Sequence, residues 1–325
     1  MRPPRKVDVE GQRGLTVIEL LVALVVGLVI SIAASAIYLG TRSATVSSQS
    51  MSDQNETGQL ALDLLGREIK KAGFFPAQFG SETQPLLPGG FVNIKEPGNL
   101  AFDQGVFGCR GAAFDPSGNS CGAPVDGAPD GLVINYMSDP EFGDDAAVGN
   151  HRDCNRAQVS TDPANAAAVA ANRPLFVSNR FSLVDTSYTA ASGRTVDTSS
   201  LACHGNGDEA AAAASPHLAG IEDLVLGYGV WGNTNQQTPN RYYNATEVAA
   251  LPVVDGLTPW QRVSSIRVCL VVRTPEAVRQ SEDTSTARVF TNCRGEDVTL
   301  SNTDRTLLRR FERVYAVRNN LKAAL

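Results

Sequence analysis

Gly14-Leu-Thr-Val-Ile-Glu-Leu-Leu-Val-Ala-Leu-Val-Val-Gly-Leu-Val-Ile-Ser-Ile-Ala-Ala-Ser-Ala-Ile-Tyr-Leu-Gly-Thr41 is the stretch on which the reading of this chain turns. No charge occurs from Leu20 through Thr41, and about 20 apolar residues suffice for a membrane-spanning helix. Arg2, Arg5, Lys6 and Arg13 precede it, against Asp8 and Glu10, and no further positive charge appears until Arg42. Basic residues mark the cytoplasmic end of a membrane helix, so the expected orientation is N-terminus inside and bulk of the chain outside. A secretory signal has a shorter apolar core and a small-residue cleavage site. The Ala and Ser at 33–36 imitate such a site, but the apolar run is longer and helical text continues beyond it. Glu19 is the anomaly. A carboxylate at the border of an apolar helix is costly unless it is paired or held at the interface.

The helix is predicted to continue through residues 42–73. Proline is absent from 15 to 75, and Leu60, Ala61, Leu64, Leu65, Glu68, Ile69 and Ala72 recur at spacings of three and four, one stripe of a helix. Gly58, Gly66 and the Ser-rich patch at 43–52 are poor helix formers, so a bend or melted turn is an open alternative there. Gly73, followed by Phe74, Phe75 and Pro76, is the expected stop.

The rest, 74–325, reads as a β-rich exported domain. Residues 77–129 are Gly-, Pro- and Asn-rich, with short apolar islands at Leu86–Leu87, Phe91–Ile94 and Val106–Phe107. Asp130–Met137, Phe176–Val184, Ile221–Trp231 and Arg267–Arg273 have strand composition. Along Arg267–Arg273, alternation buries either Val268, Leu270 and Val272 or the opposite set with Cys269. Leu307–Arg318 reads as a strand, with a helix as competitor because Leu308, Phe311 and Tyr315 also space at three and four. Residues 186–217 read as a variable insertion within a variable middle of about 77–217. The fold class is therefore α+β: a long N-terminal helix packed against an antiparallel β-sheet with long, disulfide-pinned loops.

Cys109, Cys121, Cys154, Cys203, Cys269 and Cys293 all lie beyond the apolar stretch. An even count in an exported domain points to disulfides. Sequential pairing, Cys109–Cys121, Cys154–Cys203 and Cys269–Cys293, is favoured because it closes short local loops, and the other pairings stay open. His151 with Cys154 and Cys203 with His204 are what a zinc site would draw on. In an exported domain, disulfides beside incidental histidines are the expected reading. Asp139, Glu141, Asp144 and Asp145 form an acidic loop without EF-hand spacing.

The formal charge is −6 at pH 7, which argues against general nucleic-acid binding. The C-terminal basic set Arg267, Arg273, Arg309, Arg310, Arg313 and Arg318 reads as solvated strand faces paired with nearby acids. No phosphate-cradling glycine loop or nucleophile–base pairing stands out, so no enzyme, catalytic site, metal or cofactor is expected.

Arg13-Gly-Leu-Thr-Val-Ile-Glu-Leu-Leu-Val-Ala-Leu24 resembles the class III signal and N-terminal helix of type IV pilins and type II secretion pseudopilins. The resemblance implies that residues 1–14 are a leader, that prepilin peptidase cuts after Gly14, and that Leu15 becomes the methylated N-terminus. It also implies that Glu19 engages an N-terminal amine, a neighbour's or its own, as the helix joins a filament. Leucine stands where the family usually has phenylalanine at the first mature position. Residues 15–41 would then be the membrane and filament-core half of the helix, and 42–73 its exposed amphipathic half.

Four further pieces resemble the PilW family of minor pilins: Ala61-Leu-Asp-Leu-Leu-Gly-Arg-Glu-Ile-Lys-Lys-Ala-Gly-Phe74, Ile221–Val230, Arg262-Val-Ser-Ser-Ile-Arg-Val-Cys-Leu-Val-Val-Arg273 and Arg310–Asn320. The cysteines depart from that family, where leucine often stands at the position of Cys269. The resemblance implies an inner-membrane precursor that later enters the pilus. It implies partners among other minor pilins, the major pilin, an assembly platform and a tip adhesin, and a role in priming pilus assembly. A minor pseudopilin of a type II secretion system and a membrane-tethered exported hydrolase or binding module are the competing readings.

Overall fold

The computed structural model of the chain describes residues 16–74, 104–116, 120–138, 152–162, 175–190, 195–208, 214–233, 238–276, 288–300 and 306–320, with single positions at 165, 169 and 193. The islands at 86–87 and 91–94 and the acidic loop at 139–145 lie outside them.

Helix α1 runs Val17–Lys71 and is unbroken across the Ser-rich patch at 43–52. Its buried residues, Ser50, Gln54, Gly58, Ala61, Leu62, Leu65, Gly66 and Ile69, follow the helical period. Ala61, Leu65, Ile69 and Ala72 are fully buried, as their spacing predicts, but Leu60 is 45 % exposed and Leu62 is buried. The stripe centres on the two glycines, which permit the closest approach, and that centring leaves Leu60 outside it. The helix stops where expected. Gly73 takes φ +70°, the left-handed conformation in which glycine ends helices. Its N–H donates to Asn135 O at 2.9 Å.

Five strands form the first antiparallel sheet. They are β1 (Val106–Cys109), β4 (Gly131–Ser138), β5 (Leu175–Thr189), β6 (Thr195–Gly205) and β7 (Ser215–Ala219), in spatial order β1-β4-β5-β6-β7. A short hairpin, β2 (Phe114–Asp115) with β3 (Ser120–Cys121), stands beside β1. The expected insertion at 186–217 is thus a correction. β5 and β6 pair from Asn179↔Gly205 to Thr189↔Thr195. They form a hairpin, but their Ser/Thr-rich outer halves carry little apolar alternation, so the strands are hidden from pattern. Pro216 and His217 sit in β7, an edge strand with a register shift, where proline is tolerated.

The second sheet has the order β13-β10-β8-β9, built from β8 (Ile221–Val230), β9 (Tyr242–Tyr243), β10 (Val263–Arg273) and β13 (Leu308–Ala316). A one-turn helix α2 (Ala245–Ala249) follows β9 and is closed by a capping box between Asn244 and Glu247. A hairpin of β11 (Arg288–Thr291) and β12 (Asp297–Leu300) stands apart. Leu308–Ala316 is a strand and not the competing helix. It pairs with β10 from Ser265↔Ala316 to Arg273↔Leu308. β10 is buried on both faces: Val268, Leu270 and Val272 on one, Cys269 and Val271 on the other. Both halves of the predicted alternation are thus buried in the middle of the strand, with Arg267 left at the surface.

One core joins both sheets and the C-terminal part of α1, from Ala61 through Leu132, Leu201, Leu226 and Ile266 to Tyr315. The antiparallel class is as predicted, but two principal sheets replace one. Asp130 helps to join them: its carboxylate accepts from Gly111 N and Leu226 N, both at 2.9 Å. Burial outweighs these bonds and holds its carboxyl above the usual range.

All three disulfides pair in sequence, as favoured: Cys109–Cys121, Cys154–Cys203 and Cys269–Cys293, with Cα separations of 5.4, 6.4 and 5.8 Å. Each ties a weakly structured segment to a strand. The first pins β3 to the end of β1, the second holds the 152–162 loop on β6, and the third fastens the β11–β12 turn to the middle of β10.

Candidate assembly site

Thr16 opens α1, and the local geometry there is reciprocal. Thr16 N and Thr16 Oγ1 donate to Glu19 Oε2 at 2.9 and 3.0 Å, while Glu19 N donates to Thr16 Oγ1 at 3.3 Å. This is a capping box. Two of the free N–H groups at the start of the helix are satisfied without water, so Glu19 has a partner within its own first turn. The signal was present in the sequence as Thr-x-x-Glu ahead of an apolar run.

Along the first half of α1 every large apolar side chain is exposed, from Val17 (76 %) through Leu39 (61 %). The hydroxyls among them bond back to the preceding turn: Ser31 to Gly27 O, Ser35 to Ser31 O and Thr41 to Ile37 O, at 2.8, 2.8 and 2.9 Å. These three hydroxyls are thus satisfied within the helix, as a helix in hydrocarbon requires. α1 is the one helix among the described residues long and apolar enough to cross a membrane.

The second half of α1 is locked to β13. Alternate β13 residues face the helix. Arg309 donates to Asn55 Oδ1, Arg313 meets Asp63 at 2.6 Å, and Tyr315 OH donates to Leu62 O at 2.6 Å. Between them Phe311 lies on Gly58, and Tyr315 on Gly66. A Cβ at either glycine would come within 2.6 or 2.2 Å of those rings. The spacing explains the pairing. Eight helical residues advance about 12 Å, and four strand residues about 13 Å. Burial raises the Tyr315 phenol above its ordinary range. Gln54 completes the lock. Its Nε2 donates to Val272 O at 2.7 Å and Leu307 O at 3.0 Å.

The basic set is mostly absorbed by neighbours, as expected. Besides these two arginines, Arg273 pairs with Glu222 at 3.2 Å, and Arg267 and Arg310 share Glu312 at 3.8 and 3.3 Å. Arg318 has no ion pair among the described residues. The zinc alternative at Cys154, Cys203 and His204 gives way to the disulfide between the two sulfurs. His151, Gly14 and Leu15 lie outside the described residues. Sequence reasoning missed Gln54, and it read Gly58 and Gly66 only as weak helix formers.

Residues 184–319 match the family model of PilW, type IV pilus-assembly protein W. The PilW resemblance read from β8, β10 and β13 is borne out over this stretch, which is less than half of the chain. The helix piece 61–74 lies outside the match. No curated protein matches the sequence. Among solved structures, a type IV-like pilin from Thermus thermophilus superposes with a TM-score of 0.36 and 11 % identity, covering 84 % of this chain and 98 % of that one. A superposition that loose decides nothing. The α+β architecture of long helix, antiparallel sheets and three disulfides rests on the chain's own structure.

Proposed function

We propose that this chain is a minor pilin that joins a minor-pilin complex, primes assembly of a type IV pilus and sits at its tip. The observation that carries this reading is the PilW match over residues 184–319, because it covers the strands that hold the helix. The exposed apolar half of α1 and the Thr16–Glu19 cap support it. In this reading the leader of residues 1–14 is cut after Gly14, and Leu15 is methylated. The subunit waits in the inner membrane with its N-terminus cytoplasmic and its C-terminal domain periplasmic. The helix then leaves lipid and packs among other pilin helices. Glu19 exchanges its local cap for the N-terminal amine of a neighbouring subunit. The role is structural, without catalysis. Partners are other minor pilins, the major pilin, prepilin peptidase, the assembly platform and a tip adhesin.

The N-terminal motif is shared with type II secretion pseudopilins, so a minor pseudopilin is the second reading. Deleting the gene and scoring surface pili against secreted enzymes separates the two. Loss of pili with normal secretion is expected, and the opposite result overturns the pilus assignment. Processing is tested on the same strain background with Gly14→Asp. Intact-mass analysis is expected to find the untrimmed precursor, and trimming after residue 14 in that variant would sink the cleavage assignment.

A further inference from the structure

β13 is the outer strand of its sheet, and no described strand pairs with its far side. Its helix-facing side chains are locked to α1, which fixes the strand in place. The hydrogen-bond phase follows from the residues at its ends. Val317 N donates to Ser264 O at 2.8 Å, and Thr274 N donates to Leu307 O at 2.9 Å. In the Ser265↔Ala316 register, odd-numbered residues therefore bond to β10. Arg310, Glu312, Val314 and Ala316 turn their N–H and C=O groups to the open side.

Beside this edge, between β13 and α1, lies a groove of about 630 Å³. Gly66 forms part of its floor, and Arg67, Lys70 and Arg318 line its walls. Asp63, the acidic residue lining it, is already paired with Arg313 at 2.6 Å. Arg67, Lys70 and Arg318 carry no ion pair among the described residues. In a chain of net charge −6, three cations from α1 and the segment after β13 thus gather beside the open edge of β13. Edges are ordinarily blunted by charge, and here the groove charges without an ion pair among the described residues are all positive. That arrangement admits a partner selectively. Val314, 50 % exposed on the face of β13 turned away from α1, offers an apolar contact to a neighbouring side chain of an added strand.

We propose that this edge and groove take an extended acidic segment of a partner protein, which adds to the sheet as a strand antiparallel or parallel to β13. Main-chain bonds to the even-numbered residues supply the docking, and Arg67, Lys70 and Arg318 select for acidic side chains. Only the source of the segment, another subunit of the filament, rests on the pilin reading. The docking itself is a property of the isolated chain.

The test uses purified full-length protein in detergent micelles. The probe is a fluorescein-labelled peptide of about ten residues alternating glutamate with threonine and valine, and its counterpart has lysine for glutamate. Anisotropy is expected to show binding of the acidic peptide alone, weakening as salt is raised. Combined Arg67→Glu, Lys70→Glu and Arg318→Glu is expected to weaken it at least about tenfold with unchanged thermal midpoint. Val314→Pro removes an outward N–H and no bond to β10, and is expected to weaken it comparably. Carbonyl-labelled peptide provides a readout free of any variant, since its infrared amide band is expected to move to the strand position on binding. The proposal is overturned if the acidic peptide does not bind, if the lysine peptide binds as well, or if the labelled band stays at the coil position. Binding that survives Val314→Pro also overturns it, since it would mark a plain anion patch. Pilus counts test the pilin reading separately, so the two failures are distinguishable.

Discussion

Glu19 is the N3 residue of its own helix before it is anything else. Its carboxylate accepts from Thr16 N at 2.9 Å, and glutamine serves at N3 of a capping box as well as glutamate does. Substitution can therefore separate capping from charge. Glu19→Gln is expected to keep the helix and membrane insertion yet lose filament incorporation, measured by fractionating sheared pili. Thr16→Ala is expected to cost about 1 kcal/mol of helix stability while incorporation persists. If Glu19→Gln assembled normally, the cap alone would account for the residue. Gly66 is a second residue-scale case. Alanine in its place gains about 1 kcal/mol of helix propensity, but the new Cβ would lie 2.2 Å from Tyr315 Cε1. The ring cannot easily withdraw, because its hydroxyl is bonded to Leu62 O at 2.6 Å. Overpacking costs about 1–3 kcal/mol, so Gly66→Ala is expected to lower the unfolding midpoint. A rise in midpoint would show that β13 yields.

Among elements, the β11–β12 hairpin is the one whose position depends most on cross-links. Its turn is held by Cys269–Cys293 and by Arg294, which reaches Asp223 at 2.9 Å and Ala128 O at 2.6 Å. Burial raises the Asp223 carboxyl despite that arginine. Replacing both Cys269 and Cys293 by serine removes a constraint across a sequence separation of 24, worth about 2–4 kcal/mol. Hydrogen exchange is expected to quicken at 288–300 and to change little in β4 and β5. Uniform quickening would mean that the bridge stabilises the whole domain instead. Elements were legible where one period dominates. α1 declared itself by its apolar run and the 61–65–69–72 spacing, and β10 by its branched residues. β13 was decided by packing, because its three-and-four spacing fits both periods until Gly58 and Gly66 are set against Phe311 and Tyr315. The outer halves of β5 and β6 were not legible, since Ser/Thr-rich strands pair through backbone and leave no alternation. Glu19's cap left a signal, Thr-x-x-Glu, that reading Glu19 as an anomaly passed over, and Gln54's lock left none, because its partners lie in β10 and the approach to β13.

At the scale of the molecule, the chain divides into two compact units, residues 1–49 and 50–325. Every buried residue of α1 lies at or beyond Ser50, and none of the helix's most apolar window is buried. The buried residues of the helix thus all belong to the second unit, and burial is the dominant favourable term in folding. The three disulfides and the Gln54, Asn55 and Asp63 contacts also fall wholly within 50–325. A chain beginning at Ser50 is expected to fold in water, to form the same three bridges when exported to an oxidising compartment, and to unfold within about 3 °C of the full chain in detergent, a shift corresponding to about 1 kcal/mol for a domain of this size. Beginning instead at Gly66 removes Gln54, Gly58, Ala61, Leu62 and Leu65 from the core. Two large apolar side chains, Leu62 and Leu65, are then missing, at about 1.5–3 kcal/mol each, against a total stability of about 5–15 kcal/mol for a domain. That shorter chain is expected to aggregate. If it folded as well as the Ser50 chain, the sheets would not need the helix, and the lock between β13 and α1 would be incidental to the fold.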